Sequence, residues 1–93
     1  MSHPTAVMNR VEDRHWRAMA QCIKERRLLA RLSQQALARL SGLSVSEIQH
    51  IENGRRHPKT GTQVRICEAV GISHNELTAQ VERVCHVWAL RGL

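Results

Sequence analysis

The segment from Ser33 to Gly54, SQQALARLSGLSVSEIQHIENG, constrains this chain more than any other. It reads as a short helix, a tight turn and a second short helix. Gln34 to Leu40 carries Leu37, Ala38 and Leu40 on what is expected to be an inner face. Gly42 breaks the pattern, because a residue without Cβ can take the positive φ that ends a helix. Ser44 then offers a side-chain oxygen to the free N–H groups of the next turn. Glu47, three residues on, completes a capping box.

The second helix, expected from Val45 to Asn53, has two distinct faces. Ile48 and Ile51 lie on one side, and at roughly 100° per residue Ser46, Gln49, His50 and Asn53 point away from them. A helix about 10–12 Å across fits the DNA major groove, where base edges present a donor and acceptor code. Ala38 is small where two steeply crossing helices must approach closely, which favours a helix-turn-helix over a coiled coil.

The spacing of Gln34, Leu37-Ala38, Gly42, Ile48, Ile51 and Glu52-Asn53-Gly54 resembles the helix-turn-helix of phage repressors and Cro, the xenobiotic-response-element (XRE) family. The likeness runs from about Ile23 to Leu77. It implies an all-α fold, a compact five-helix bundle of the repressor/Cro type, here with extended first and last helices. It implies DNA binding. It also implies that Arg27 pairs with Glu52 to fix the recognition helix, since a planar guanidinium can hold a carboxylate through two bonds. Family members often carry Gly where Arg31 stands, so a different exit from the first helix is expected. From the position of Lys59 some relatives reach the minor groove.

A chain of 93 residues suits one domain, and 42% hydrophobic content supplies a small core. With no Tyr, no Phe and only two Trp, that core must be aliphatic. A domain of this size is marginal alone, and oligomerisation is a common remedy. The formal charge of +6 favours a polyanionic partner. Basic charge alone does not choose among DNA, RNA and membrane; the helix-turn-helix pattern does. Cys22, Cys67 and Cys85 are odd in number, widely separated and without a CxxC, which fits a reducing cytoplasm. No apolar run approaches a membrane span and no signal-peptide core is present.

In chain order, residues 1–10 are expected to form a mobile N-terminal arm, and residues 11–93 one domain. A first helix is expected from Glu12 to Ala30, with Trp16, Met19, Ala20, Ile23, Arg27 and Ala30 at helical spacing and the turns around His15-Trp16 packed on the C-terminal segment or on a second subunit. Arg55-Arg56-His57-Pro58-Lys59 is a basic loop broken by Pro58. A fourth helix, from Thr60 to Val70, offers Val64, Ile66, Cys67 and Val70 to the core; Gly61 and Gln63 are expected to loosen its first turn. Gly71 ends it, and Ser73 with Glu76 opens a last helix. There Leu77, Val81, Val84 and Trp88 form an apolar stripe. A homodimer contact is the favoured cover for the stripe, with the long first helix as a compatible alternative.

No motif for catalysis is found, and no cofactor or metal is expected. Cys85 and His86 are adjacent and diverge on a helix, while His50 and His57 lack further ligands at suitable spacing. Cys22 and Cys67 read as core filler, Cys85 as an exposed thiol. The expected function is a sequence-specific transcriptional regulator, a repressor that binds a near-palindromic operator in double-stranded DNA as a homodimer. Ser44, Val45, Ser46, Gln49 and His50 would face base edges; Gln49 could read adenine and Val45 a thymine methyl. Val45 and Ser46 are shorter than the residues relatives often carry there, so DNA shape would supply part of the specificity. Gln34, Asn53, Arg55, Arg56 and Lys59 would hold the phosphate backbone. Two alternatives share the pattern: an antitoxin, with a toxin bound to the last helix, and a restriction-modification controller. A pure protein-interaction module is the third.

Overall fold

The structure, a computed structural model, describes residues 4–93, with side chains from residue 12 onward. Its helices are α1 (Pro4–Leu29), α2 (Gln34–Ser41), α3 (Val45–Glu52), α4 (Thr60–Val70) and α5 (His74–Leu90), with no strand among the described residues. The fold is an all-α helix-turn-helix bundle with long first and last helices. None of the helices described is long and apolar enough to cross a membrane.

Helix α1 begins at Pro4, eight residues ahead of the expected start at Glu12. Most of the stretch expected to be an arm is therefore helical backbone; its first three residues lie outside those described. A proline in a first turn forfeits no intrahelical bond, so Pro4 is no barrier there.

The core is aliphatic and thiol-lined. Ala18, Met19, Cys22 and Ile23 of α1 meet Leu37 and Ala38, Ile48 and Ile51, Ile66 and Cys67, and Leu77 and Val81. Both tryptophans sit at its edge. Helix α1 lies along α5 and touches α3 and α4, while α2 packs on α3 and α4.

Four further expectations change. Leu40 is 58% exposed, and Ser41 takes the inner position. At about 100° per residue Ser41 falls between Leu37 and Ala38, and Leu40 falls outside that face. The Ser41 hydroxyl is satisfied within its own helix, donating to Leu37 O at 2.6 Å.

The first turn of α4 is pinned. Gln63 is buried. Its Nε2 donates to Pro58 O at 2.9 Å, and its Oε1 lies 2.8 Å from His74 Nε2.

The exit from α1 takes the left-handed form that glycine adopts freely, with Arg31 at φ 60°. It closes through the Leu32 N–H to Arg27 O at 3.1 Å and the Arg31 N–H to Leu28 O at 3.0 Å. A side chain in this conformation costs about 1–2 kcal/mol.

The α5 stripe is covered from within. Leu77 and Val81 are each only 1% exposed, and Val84 and Trp88 pack partly buried against the same core. The length of α1 allows this cover, so Leu77 and Val81 are not available to a second copy. The turns of α1 around His15-Trp16 do pack on the C-terminal segment. Arg14 Nε donates to Leu93 O at 2.7 Å, and the Arg17 guanidinium lies 5.6 Å from the Trp88 ring centre. Apolar side chains remain open instead at Val87, Leu90 and Leu93.

Candidate nucleic-acid interface

Helices α2 and α3 are short, and each is set by its ends. Ser33 opens α2, its Oγ accepting the Ala36 N–H at 3.0 Å. Gly42 closes it at φ 71°. The Leu43 N–H then reaches Ala38 O at 2.9 Å, and Leu43 packs on the core. Ser44 opens α3 with a reciprocal box: Glu47 N–H to Ser44 Oγ at 3.0 Å, and Ser44 N–H to Glu47 Oε1 at 3.2 Å. The Ser44 N–H, stabilising the anion, holds the Glu47 carboxyl below its ordinary value; Arg56 adds a smaller effect in the same direction.

At the other end of α3, Arg27 and Glu52 are brought together. Arg27 Nε donates to Glu52 Oε2 at 2.7 Å and a terminal nitrogen to Oε1 at 3.0 Å. The second terminal nitrogen donates to Leu32 O at 2.8 Å. Both side chains are almost fully buried, 9% and 2% exposed, so the pair is a desolvated charge clasp. Gln34 joins it, its Nε2 donating to Glu52 Oε1 at 3.1 Å. The amide expected on phosphate thus turns inward and ties α2 to α3.

Beyond Glu52, Asn53 caps the helix and Gly54 takes φ 74°. That turn aims the N–H groups of Arg55 and Arg56 at one acceptor, His50 O, at 2.9 and 3.1 Å. Arg56 leans back toward Glu47 at 3.9 Å, a long and exposed pairing. His57 lays its ring on Trp16 of α1, centroids 4.5 Å apart and planes 6° from parallel. Pro58 is buried.

The outer face of α3 and the following loop is polar and open. Ser44, Ser46, Gln49, His50 and Asn53 are exposed, as are Arg55, Arg56 and Lys59. Val45 differs from the other expected base readers, because it packs partly buried against the core. Sequence reasoning missed the Trp16–His57 stack and the bonds of Gln63.

The thiols lie away from this face. Burial pushes Cys22 up to about 11, with Glu25 adding to the effect. Burial also raises Cys67 and Cys85. Cys85, expected to be exposed, is half-buried, with its Sγ 3.9 Å from Arg14 O.

A family model described as "Helix-turn-helix domain" matches residues 18–80. The chain belongs to the helix-turn-helix domain family. Two solved structures share the fold of this helix-turn-helix protein. It is similar to the clp gene regulator ClgR from Corynebacterium glutamicum, with 18% identity, a TM-score of 0.79, and coverage of 84% of this chain and 83% of that one. It is also similar to the restriction-modification controller protein C.AhdI from Aeromonas hydrophila, with 32% identity, a TM-score of 0.65, and coverage of 67% of this chain and 94% of that one. No curated protein matches the sequence significantly.

Proposed function

We propose that this helix-turn-helix protein is a sequence-specific transcriptional regulator of the cytoplasm that represses by occupying double-stranded operator DNA as a homodimer. The observation that carries this reading is α3 itself. Both its ends are fixed, its inner face is spent on the core, and its outer face presents Ser46, Gln49 and His50 beside a basic loop. A rigid helix with free polar side chains can enter the major groove without first being ordered. Ser44, Ser46, Gln49 and His50 face base edges, and Gln49 can bind adenine through two hydrogen bonds. Val45 offers at most the edge of its side chain to a thymine methyl. Asn53, Arg55, Arg56 and Lys59 hold phosphates on one side. On the other, the free N–H groups at the start of α2 meet a phosphate, with Gln34 serving as a strut.

Exposed Val87, Leu90 and Leu93 support a homodimer contact near the end of α5, with Val84 and Trp88 contributing their open edges. Two copies would set their α3 helices about 34 Å apart on a near-palindromic site. A restriction-modification controller is a specific form of the same reading, favoured by the 32% identity to C.AhdI across nearly all of that chain.

The test is selection of binding sites from a randomised duplex pool, with sedimentation equilibrium of the free protein. Enrichment of a two-fold symmetric sequence, bound more weakly as salt rises, together with a concentration-dependent dimer, is the expected result. A pool that remains random would overturn sequence specificity, and a monomer at all concentrations would overturn the homodimer.

A further inference from the structure

We propose that Trp16 is a positioning residue for the basic loop at residues 55–59: its indole face holds His57, and through it the geometry in which Arg55, Arg56 and Lys59 meet DNA phosphates. The inference rests on the DNA-binding reading and extends it to a residue on α1, outside the helix-turn-helix itself.

The loop has little regular structure of its own. Its first part hangs on His50 O through the N–H groups of Arg55 and Arg56. Its last part is tied at Pro58 O by the buried amide of Gln63. Between these ties stands the His57 ring, stacked on Trp16 at 4.5 Å and 6°. Trp16 is itself fixed, because it packs against the core and meets the His15 ring edge-on at 4.9 Å. Helix α1 therefore grips the DNA-facing side at two places. Arg27 holds the end of α3, and Trp16, about 16 Å away along the same helix at 1.5 Å per residue, holds the loop after it. Long cationic side chains bind phosphate better when the backbone beneath them is already ordered, since less freedom is lost on contact. Neither Trp16 nor the face of His57 against it need touch DNA for the stack to matter.

The experiment measures binding of a labelled mixed-sequence duplex by fluorescence anisotropy across a salt series. The proteins are wild type, His57→Ala, His57→Phe, Trp16→Leu and the double variant Trp16→Leu/His57→Ala, each checked for helicity by circular dichroism. Three results are expected. His57→Ala and Trp16→Leu each bind about tenfold more weakly, the change that about 1.4 kcal/mol produces. The double variant is no worse than either single one. His57→Phe, which keeps a flat ring and no charge, regains most of the affinity.

Trp16→Leu removes no charge, so a flatter salt dependence in that variant is a readout that loss of stability alone would not give. His57 is exposed and its replacement leaves the core intact, so His57→Ala decides the matter if Trp16→Leu folds poorly. Wild-type affinity in His57→Ala, or His57→Phe as weak as His57→Ala, would overturn the proposal. The second outcome would mean that His57 acts by its own polar atoms. Absence of salt-dependent binding by the wild type would instead defeat the DNA reading, and this proposal with it. In a Trp88→Phe background the emission of Trp16 should change when His57 is replaced by Ala, and an unchanged spectrum would overturn the stack independently of DNA.

Discussion

The two ends of α3 are held by opposite means. The N-terminal end is held by neighbours in sequence: Ser44 and Glu47 satisfy each other's backbone across one turn, in solvent. The C-terminal end is held by residues from far along the chain. Arg27 reaches it from α1 and Gln34 from α2, and the Glu52 carboxylate they share is nearly sealed from water. A local cap decides where a helix starts but leaves its direction in the bundle free. A buried three-way clasp fixes that direction, because each partner belongs to a different element. A buried ion pair is a poor source of net stability, since desolvation offsets most of its attraction, but removing one partner leaves a charge stranded. The cap at Ser44 therefore makes a modest, local contribution, and the clasp at Glu52 a large, conditional one.

The largest expected effect comes from breaking the buried end. Glu52→Ala strands the Arg27 guanidinium and should cost about 3–5 kcal/mol, read as a lower urea midpoint. Against a total stability of about 5–15 kcal/mol for a small domain, that is a substantial fraction. Ser44→Ala at the exposed end should cost only about 1 kcal/mol in the same assay. Equal losses at the two ends would remove the contrast.

A smaller change of opposite sign should come from Arg31→Gly. It relieves the positive φ just before the segment that Arg27 caps, and the added freedom of the unfolded glycine offsets part of the gain. The net is a stabilisation of under about 1 kcal/mol, seen as a small rise in thermal midpoint.

The smallest effect is one of pH. The Glu47 carboxyl is held below its ordinary value of 4.5 by the Ser44 N–H. Its contribution is therefore present above the unfolded value and is lost as pH falls through the lower folded value. Denaturation curves of wild type and Glu47→Gln should differ at neutral pH and converge in acid. A difference that persists in strong acid would assign the effect to packing rather than charge.

The same contrast explains what could be read from the sequence. The capping boxes at Ser44–Glu47 and Ser73–Glu76, and the glycine stops at Gly42 and Gly71, are local, and each stands where its spacing indicated. The Arg27–Glu52 clasp spans 25 residues, and it was legible through the family resemblance rather than through spacing. The Trp16–His57 stack and the Gln63–His74 contact left no trace, because nothing in a sequence says which distant ring or amide a side chain will meet. The α5 stripe was legible as a face that must be covered, but periodicity does not name the cover, and α1 of the same chain supplies it. Hydrophobicity points to Leu40 for the inner face, but the helical angle puts Ser41 there, and a serine can be buried when its hydroxyl bonds its own helix. The start of α1 is not legible, since Pro4 reads equally as a break and as a first turn.

The clasp at Glu52 has a consequence for how this molecule opens. Arg27, Leu32, Gln34 and Glu52 lie on α1, the link that follows it, α2 and α3, and all meet at one carboxylate and one guanidinium. Releasing the last turn of α3 therefore releases the entry to α2 as well. The end of a short helix would ordinarily fray by itself, and its amides would trade hydrogen for deuterium long before the rest. Here α2 and α3 should exchange as one block, at a single rate, because neither can leave the shared knot alone.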